Sequence, residues 1–394
     1  MRLLSLARLM LFAALLLSAC RNNPSSPTSP LNIPSVYDLT GYTANVATEA
    51  RVRTELAALT AHMQVGRNMD STLTLASLRS FWDGTTLQQI TPLLYRNKVN
   101  VALEELQKAT GKRTRYPWES APTGDGGVVP TTNGGRIGYL YDENMLEMEQ
   151  VIEKGLFAAA MYNHAVSLIN TGNITEATID RLVEIYGAKP SFANNERSTD
   201  PQRDRFTAQY AARRSDINDR NSLYEQIKRN LITAKAAVRA GSAYNSERDK
   251  ALADFKLNWE KVLAATVINY CHSTLAALTS GVRDDATITS AMHAYGEAVG
   301  FLSGWKAVPA SQRRITDAQI DELLERLRAP FDATASAQSF RFLSSSPTAA
   351  ELFRLDGRND PGVGVIERLA QIYGFTDAEV ESFKLNWVAQ QNRR

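Results

Sequence analysis

SAMHAYGEAVGFLSGW, residues Ser290–Trp305, says more about the fold of this chain than any other segment. Gly296, Gly300 and Gly304 fall every fourth residue, so on a helix they share one face. Each glycine costs roughly 0.5–1 kcal/mol relative to alanine in a helix interior. Three in register need a compensating gain. Close approach of a second helix provides one, through dispersion contacts between the two backbones. The three glycines therefore read as a helix-packing face. His293 and Glu297, four residues apart, share a face of the same helix.

Working outward, most of the chain carries the helical period. Residues 46–65 place Val52, Leu56, Leu59 and Met63 on one stripe, and residues 85–109 carry Leu87, Ile90, Leu94, Val101 and Leu106. The segments 143–170, 203–240, 246–279, 286–305 and 315–328 continue it. Helix starts recur as Ile174-Thr175-Glu176, Ile315-Thr316-Asp317 and Phe375-Thr376-Asp377. In each, Thr is the N-cap and an acid follows at the positive end of the helix dipole. Gln319 and Glu379 complete capping boxes in the second and third, whereas Thr178 is not expected to complete one in the first. The stretch 111–138 is dense in Gly and Pro and reads as a long loop, with Tyr116, Trp118, Tyr139 and Tyr141 as aromatics that pin it or stack on a ligand. The fold predicted is all-α: a helical bundle, as two pseudo-repeated bundles packed as one unit, over 36–195 and 196–394. The echo of Phe255-Lys256-Leu257-Asn258-Trp259 in Phe383-Lys384-Leu385-Asn386-Trp387 is the main sign of duplication.

The N-terminus speaks to location. Arg2 and Arg8 flank a short apolar run, Leu9–Leu17, and Ser18 and Ala19 precede Cys20. This is the layout of a secretory signal peptide over residues 1–19, and Leu17-Ser18-Ala19-Cys20 resembles a bacterial lipobox. Cys20 is then the lipidation site and membrane anchor, and residues 20–35 are the lipidated cysteine with a flexible Pro/Ser/Asn-rich tether. By its resemblance to lipoprotein sorting signals, Arg21, rather than Asp, after the cysteine implies the outer membrane, with a periplasmic or surface-exposed domain. The full chain has a net charge of +2; losing Arg2 and Arg8 leaves 42 basic residues against 42 acidic. Such balance gives no electrostatic case for nucleic acid. No later segment is expected to cross a membrane. Cys271, the other cysteine, reads as a small buried hydrophobe.

HExxH, GxxxxGK, GxSxG and CxxC motifs are all lacking, which argues against an enzyme. The candidate chemistry rests on His293 and Glu297, which could hold one divalent metal such as iron if another helix adds a ligand. His272 is the first candidate for that third ligand, with His164 and the weaker Glu260 behind it; His62 is the remaining histidine. The alternative is a structural or protein-interaction role in the cell envelope.

The chain resembles bacterial lipoproteins bearing domain of unknown function 4856. The features that carry the likeness are the lipobox, Pro34–Leu39 followed by Arg53–Leu56, Asp70–Leu75, and His293 with Gly296-Glu297-Ala298 and Gly300-Phe301. The helical, duplicated plan is also similar to imelysin-like proteins, whose hallmark is Gly-x-His-x-x-Glu. Here Ala291 precedes His293 by two and Glu297 follows it by four. That resemblance implies a helical architecture and an extracytoplasmic context of iron or other metal uptake. The expected role is a non-catalytic binding component of the envelope.

Overall fold

A threonine opens three helices as predicted. The Thr175, Thr316 and Thr376 hydroxyls accept the N–H of the residue three positions on. Gln319 and Glu379 return the bond to the cap N–H, at 2.9 and 2.8 Å. Thr178 does the same, accepting the Thr175 N–H at 3.1 Å, so the first capping box is complete after all. A short hydroxyl suffices there because the Thr175 and Thr178 side chains already touch, at 3.2 Å.

The computed structural model describes residues 29–114, 126–282, 284–332 and 364–394. The signal segment 1–19, Cys20, most of the tether, Tyr116 and Trp118 lie outside the described residues. The chain runs through helices α1 (Ala47–Gln64), α2 (Leu75–Ser80), α3 (Thr86–Ile90) and α4 (Leu93–Ala109). A hairpin of β1 (Gly127–Pro130) and β2 (Gly138–Tyr141) follows, then α5 (Met148–Leu156), a π-helical stretch Phe157–Tyr162, and α6 (Asn163–Asn170). Next come α7 (Glu176–Tyr186), α8 (Phe206–Arg213), α9 (Leu223–Ala240), α10 (Asn245–Thr279) and α11 (Asp285–Trp305). The last are α12 (Asp317–Arg326), α13 (Val365–Tyr373), α14 (Asp377–Ser382) and α15 (Trp387–Gln390). The fold is all-α, with this antiparallel hairpin as the sheet among the described residues.

Three departures from the sequence reading have local causes. The helix expected over 85–109 breaks at Pro92, which lacks an N–H and clashes with a preceding turn. The helix expected over 203–240 is interrupted between α8 and α9. There Asp216 and Asp219 accept the Asn218 and Asn221 N–H groups in side-chain-closed turns. The stretch 111–138 is not loop throughout, because Gly127–Pro130 pairs with Gly138–Tyr141.

One hydrophobic core runs from Tyr37 to Val388 and takes in residues of both halves. At its centre lies α10, between α9 and α11. By length and composition Ser242–Thr279 could cross a membrane, contrary to the sequence expectation, but 61% of its most apolar window is buried inside the protein. That is how a core helix of a folded domain behaves. Cys271 on α10 is buried and free, as expected. The pentapeptide echo falls in two different settings. Phe255–Trp259 lies inside α10, whereas Phe383–Trp387 crosses from α14 into α15 with Asn386 capping the Ala389 N–H.

Candidate functional site

The glycine face of α11 docks on α5. A Cβ added at Gly296 would lie 3.2 Å from the Glu147 Cβ. Added at Gly300 or Gly304, it would lie under 3.0 Å from the carbonyl oxygens of Gln150 and Gly155. The backbones thus meet as the glycine spacing predicts. Gly155 answers from α5, since its missing side chain makes room for the Tyr95 hydroxyl of α4. That hydroxyl donates to the Val151 carbonyl at 2.7 Å and meets Ser303 Oγ at 2.9 Å, which ties α4, α5 and α11 together.

This docking sets Glu147, the residue just before α5, against His293. Glu147 Oε2 lies 2.6 Å from His293 Nδ1, and Glu297 Oε2 lies 3.5 Å from Nε2. The ring stacks on Tyr139 of β2, with centroids 3.9 Å apart and planes within 5°. The Arg67 guanidinium lies 4.6 Å from the same tyrosine ring. Arg67 then bridges two buried carboxylates, reaching Glu147 at 3.0 Å and Glu149 at 2.7 Å. On the other side of Glu297, Lys154 Nζ is 3.4 Å away and the Tyr210 hydroxyl donates at 3.3 Å. Lys154 also pairs with Glu153 at 2.6 Å.

Burial alone would strip the proton from His293, but Glu147 and Glu297 outweigh it and hold the imidazole above its ordinary pKa. Burial would raise Glu297, but His293 and Lys154 hold it below the usual carboxylate value. Burial pushes Glu149 up to about 7 against the pull of Arg67, with Glu147 adding to the rise. These shifts favour an imidazolium set between the two carboxylates.

The network opens into a cleft of about 270 Å³. Arg67, Lys154, Arg205, Arg213, Glu153, His293 and Glu297 supply its charged lining, and Gln64, Gln150, Gln209 and three aromatic residues fill the rest. Arg213 pairs with Glu196 at 2.8 Å. Arg205, exposed at the cleft, is the lining cation without an acidic partner at ion-pair distance among the described residues. Its position is held firmly. The Arg205 N–H donates to the Gly187 carbonyl at 3.0 Å, Gly187 has a φ of +103°, and Phe206 beside it has a φ of +51°. A left-handed backbone is uncommon for so bulky a residue. The π-helical stretch begins at Phe157 in the same lining, and π-bulges occur often at functional sites.

Of the residues singled out from sequence, His293 and Glu297 meet in this network, but His272 does not join them. Glu147 occupies the place expected of a third ligand, and no three His, Cys, Asp or Glu side chains form a metal-binding group among the described residues. His164 meets Glu49 at 2.8 Å, and His62 stacks on Phe81. Glu260 accepts the Tyr162 and Tyr373 hydroxyls and the Arg314 N–H, so its role is to stitch α10 to its neighbours. Tyr139 and Tyr141 pin the hairpin, Tyr141 by donating to the Thr289 carbonyl at 2.7 Å. Sequence reasoning missed Arg67, Glu147, Gln150, Lys154 and Arg205. The run of charge in Glu147–Lys154, on a segment with helical period, was the available signal. Fold and site together define an all-α protein with a buried charge network that opens into a polar cleft. Comparison with family models, curated proteins and solved structures finds no match to this chain.

Proposed function

We propose that this chain is a lipid-anchored envelope protein that binds a small polar solute in the cleft of α5, α8 and α11 without transforming it. The cleft carries this reading. Its charged side chains come from several elements, all but Arg205 are held in ion pairs, and they line a cavity of about 270 Å³, near the lower end of small-molecule sites. A binding role suits the lining better than catalysis. Its carboxylates are engaged by cations, and no serine, threonine or cysteine lies among the lining residues. The anchor rests on Leu17–Cys20, and the outer membrane on Arg21. An iron or other metal context enters through the imelysin resemblance, and the state of His293 weighs against direct ligation by that ring.

The test is thermal unfolding of the full chain against a panel of iron, zinc, sugars, amino acids, carboxylates and phosphate. A ligand bound only by the folded state adds about 2.7 kcal/mol at a hundred times its dissociation constant. The reading expects a saturable rise in Tm for one class of solute, reduced in His293→Gln. No shift with any class, with the fold intact by circular dichroism, overturns it. For the anchor, Cys20→Ser should abolish incorporation of labelled palmitate and move the protein out of the membrane fraction.

A further inference from the structure

We infer, on the binding reading above, that the solute is a small carboxylate with a hydrogen-bond donor on the adjacent carbon, such as an α-amino or α-hydroxy acid. Two features of the lining point to it. The first is Arg205. Arg67, Lys154, Arg213 and His293 each have a carboxylate at ion-pair distance, whereas Arg205 has none among the described residues. A guanidinium is planar and always charged, and it recognises carboxylates through paired donors. The Gly187 contact and the left-handed Phe206 hold the Arg205 backbone in place, so the cation is presented without ordering a mobile loop.

The second feature is Gln150. Gln150 is 2% exposed, and its Oε1 has no hydrogen-bond partner among the described residues, although its Nε2 donates to Glu149 at 3.3 Å. A buried acceptor without a donor is costly, and here it belongs to a residue of the cleft lining. An ammonium or hydroxyl of the solute would satisfy it. Charge balance agrees. With His293 protonated, the cations Arg67, Lys154, Arg205, Arg213 and His293 equal the carboxylates Glu147, Glu149, Glu153, Glu196 and Glu297 in number. Burial also favours the neutral form of Glu149. A strongly cationic solute gains nothing in such a cleft; a zwitterion or monoanion does.

The test is isothermal titration of the full chain with glycine, L-alanine, L-serine, L-glutamate and L-lactate, with acetate, methylammonium, glucose and zinc as counter-probes. At least one amino or hydroxy acid should bind, and acetate and methylammonium should bind at least about tenfold more weakly, because each offers half of the match. Arg205→Ala should weaken that binding by about tenfold or more, and Arg205→Lys should recover part of the loss. Arg205 is exposed, so both variants should keep the parent Tm. Tight binding of glucose or zinc alone, or full affinity in Arg205→Ala, overturns the inference while the cleft remains a binding site. Binding by none of the probes, and by none of the wider thermal panel, overturns the binding reading itself.

Discussion

Gly304→Ala should destabilise the protein even though alanine is the better helix former. In an open helix the change gains about 0.8–1 kcal/mol. Here the new Cβ would lie under 3.0 Å from the Gly155 carbonyl oxygen, whereas unstrained heavy-atom contacts sit near 3.5 Å. The atom it meets is backbone, so no side chain can turn aside. The whole of α11 must move off α5 by roughly half an ångström or more. Overpacking of this kind costs about 1–3 kcal/mol, with the rigid backbone at the upper end. Separation also stretches the 2.9 Å contact of Tyr95 with Ser303, worth about 0.5–1.5 kcal/mol. Against the propensity gain, the net loss is about 2–3 kcal/mol. At about 2–4 °C per kcal/mol for domains of 150–250 residues, Tm should fall by about 4–12 °C. Urea titration followed by tryptophan fluorescence reads the change directly, since Trp82, Trp259 and Trp305 are fully buried. Gly296→Ala is the internal control. Its Cβ meets the Glu147 Cβ at 3.2 Å, the Glu147 N at 3.6 Å and the Gln150 Cβ at 3.7 Å, and its stability should stay within about 1 kcal/mol of the parent. If Gly304→Ala proved equal to the parent or more stable, the two backbones would not be in the contact described here.

Other perturbations bear on the charge network and the core. His293 has a raised pKa in the folded state, so the stability it contributes is complete below its unfolded value of about 6.5 and is lost as pH rises through the folded value. Burial pushes Glu149 and Asp204 up to about 7, and these folded carboxyls hold protons that their unfolded forms have released; this too makes stability fall with rising pH. The urea midpoint should therefore drop between about pH 5.5 and pH 8, and His293→Gln should flatten the drop; a midpoint that climbs over this range contradicts the clamped imidazolium. Burial pushes the Cys271 thiol up to about 12, so a thiol reagent at pH 8 should label the folded protein far more slowly than the unfolded chain; equal rates would mean the thiol is accessible. Glu260→Leu leaves the buried Tyr162 and Tyr373 hydroxyls without their acceptor and should cost about 2–4 kcal/mol in the same urea assay. A loss below about 0.5 kcal/mol would show that α10 and α13 are held by apolar packing alone.

How much of this was legible in the sequence depends on how local each cause is. The threonine caps are set by contacts three residues apart, and they appear where the residues alone place them. The glycine face of α11 was legible because three helix-breaking residues in register demand a partner. Which helix answers was not, because Glu147 and His293 stand 146 positions apart. The hairpin escaped notice because its strands are four residues long and lie among glycines and prolines that speak for loop. Arg205 had no signature at all. It stands out only because the fold pairs the other cations of the lining and leaves this one at the cleft.

The placement of these charges is the strongest physical reason to look for function here. Burying ion pairs rarely stabilises a fold, and apolar replacements of similar volume are often neutral or better. Glu147, Glu149, Lys154 and Glu297 are nonetheless buried at the junction of α5 with α11, where the surrounding core is apolar and complete. The backbone departs from its ordinary preferences in the same neighbourhood, at the π-helical stretch beginning with Phe157 and at left-handed Phe206. At the capped starts of α7, α12 and α14, by contrast, local preference and tertiary packing agree. Sequences that specify a fold consistently tend to break their own rules where a site demands it. Around this one cleft lie a guanidinium with no ion pair and a buried amide oxygen with no donor among the described residues, a π-helical stretch and a left-handed phenylalanine.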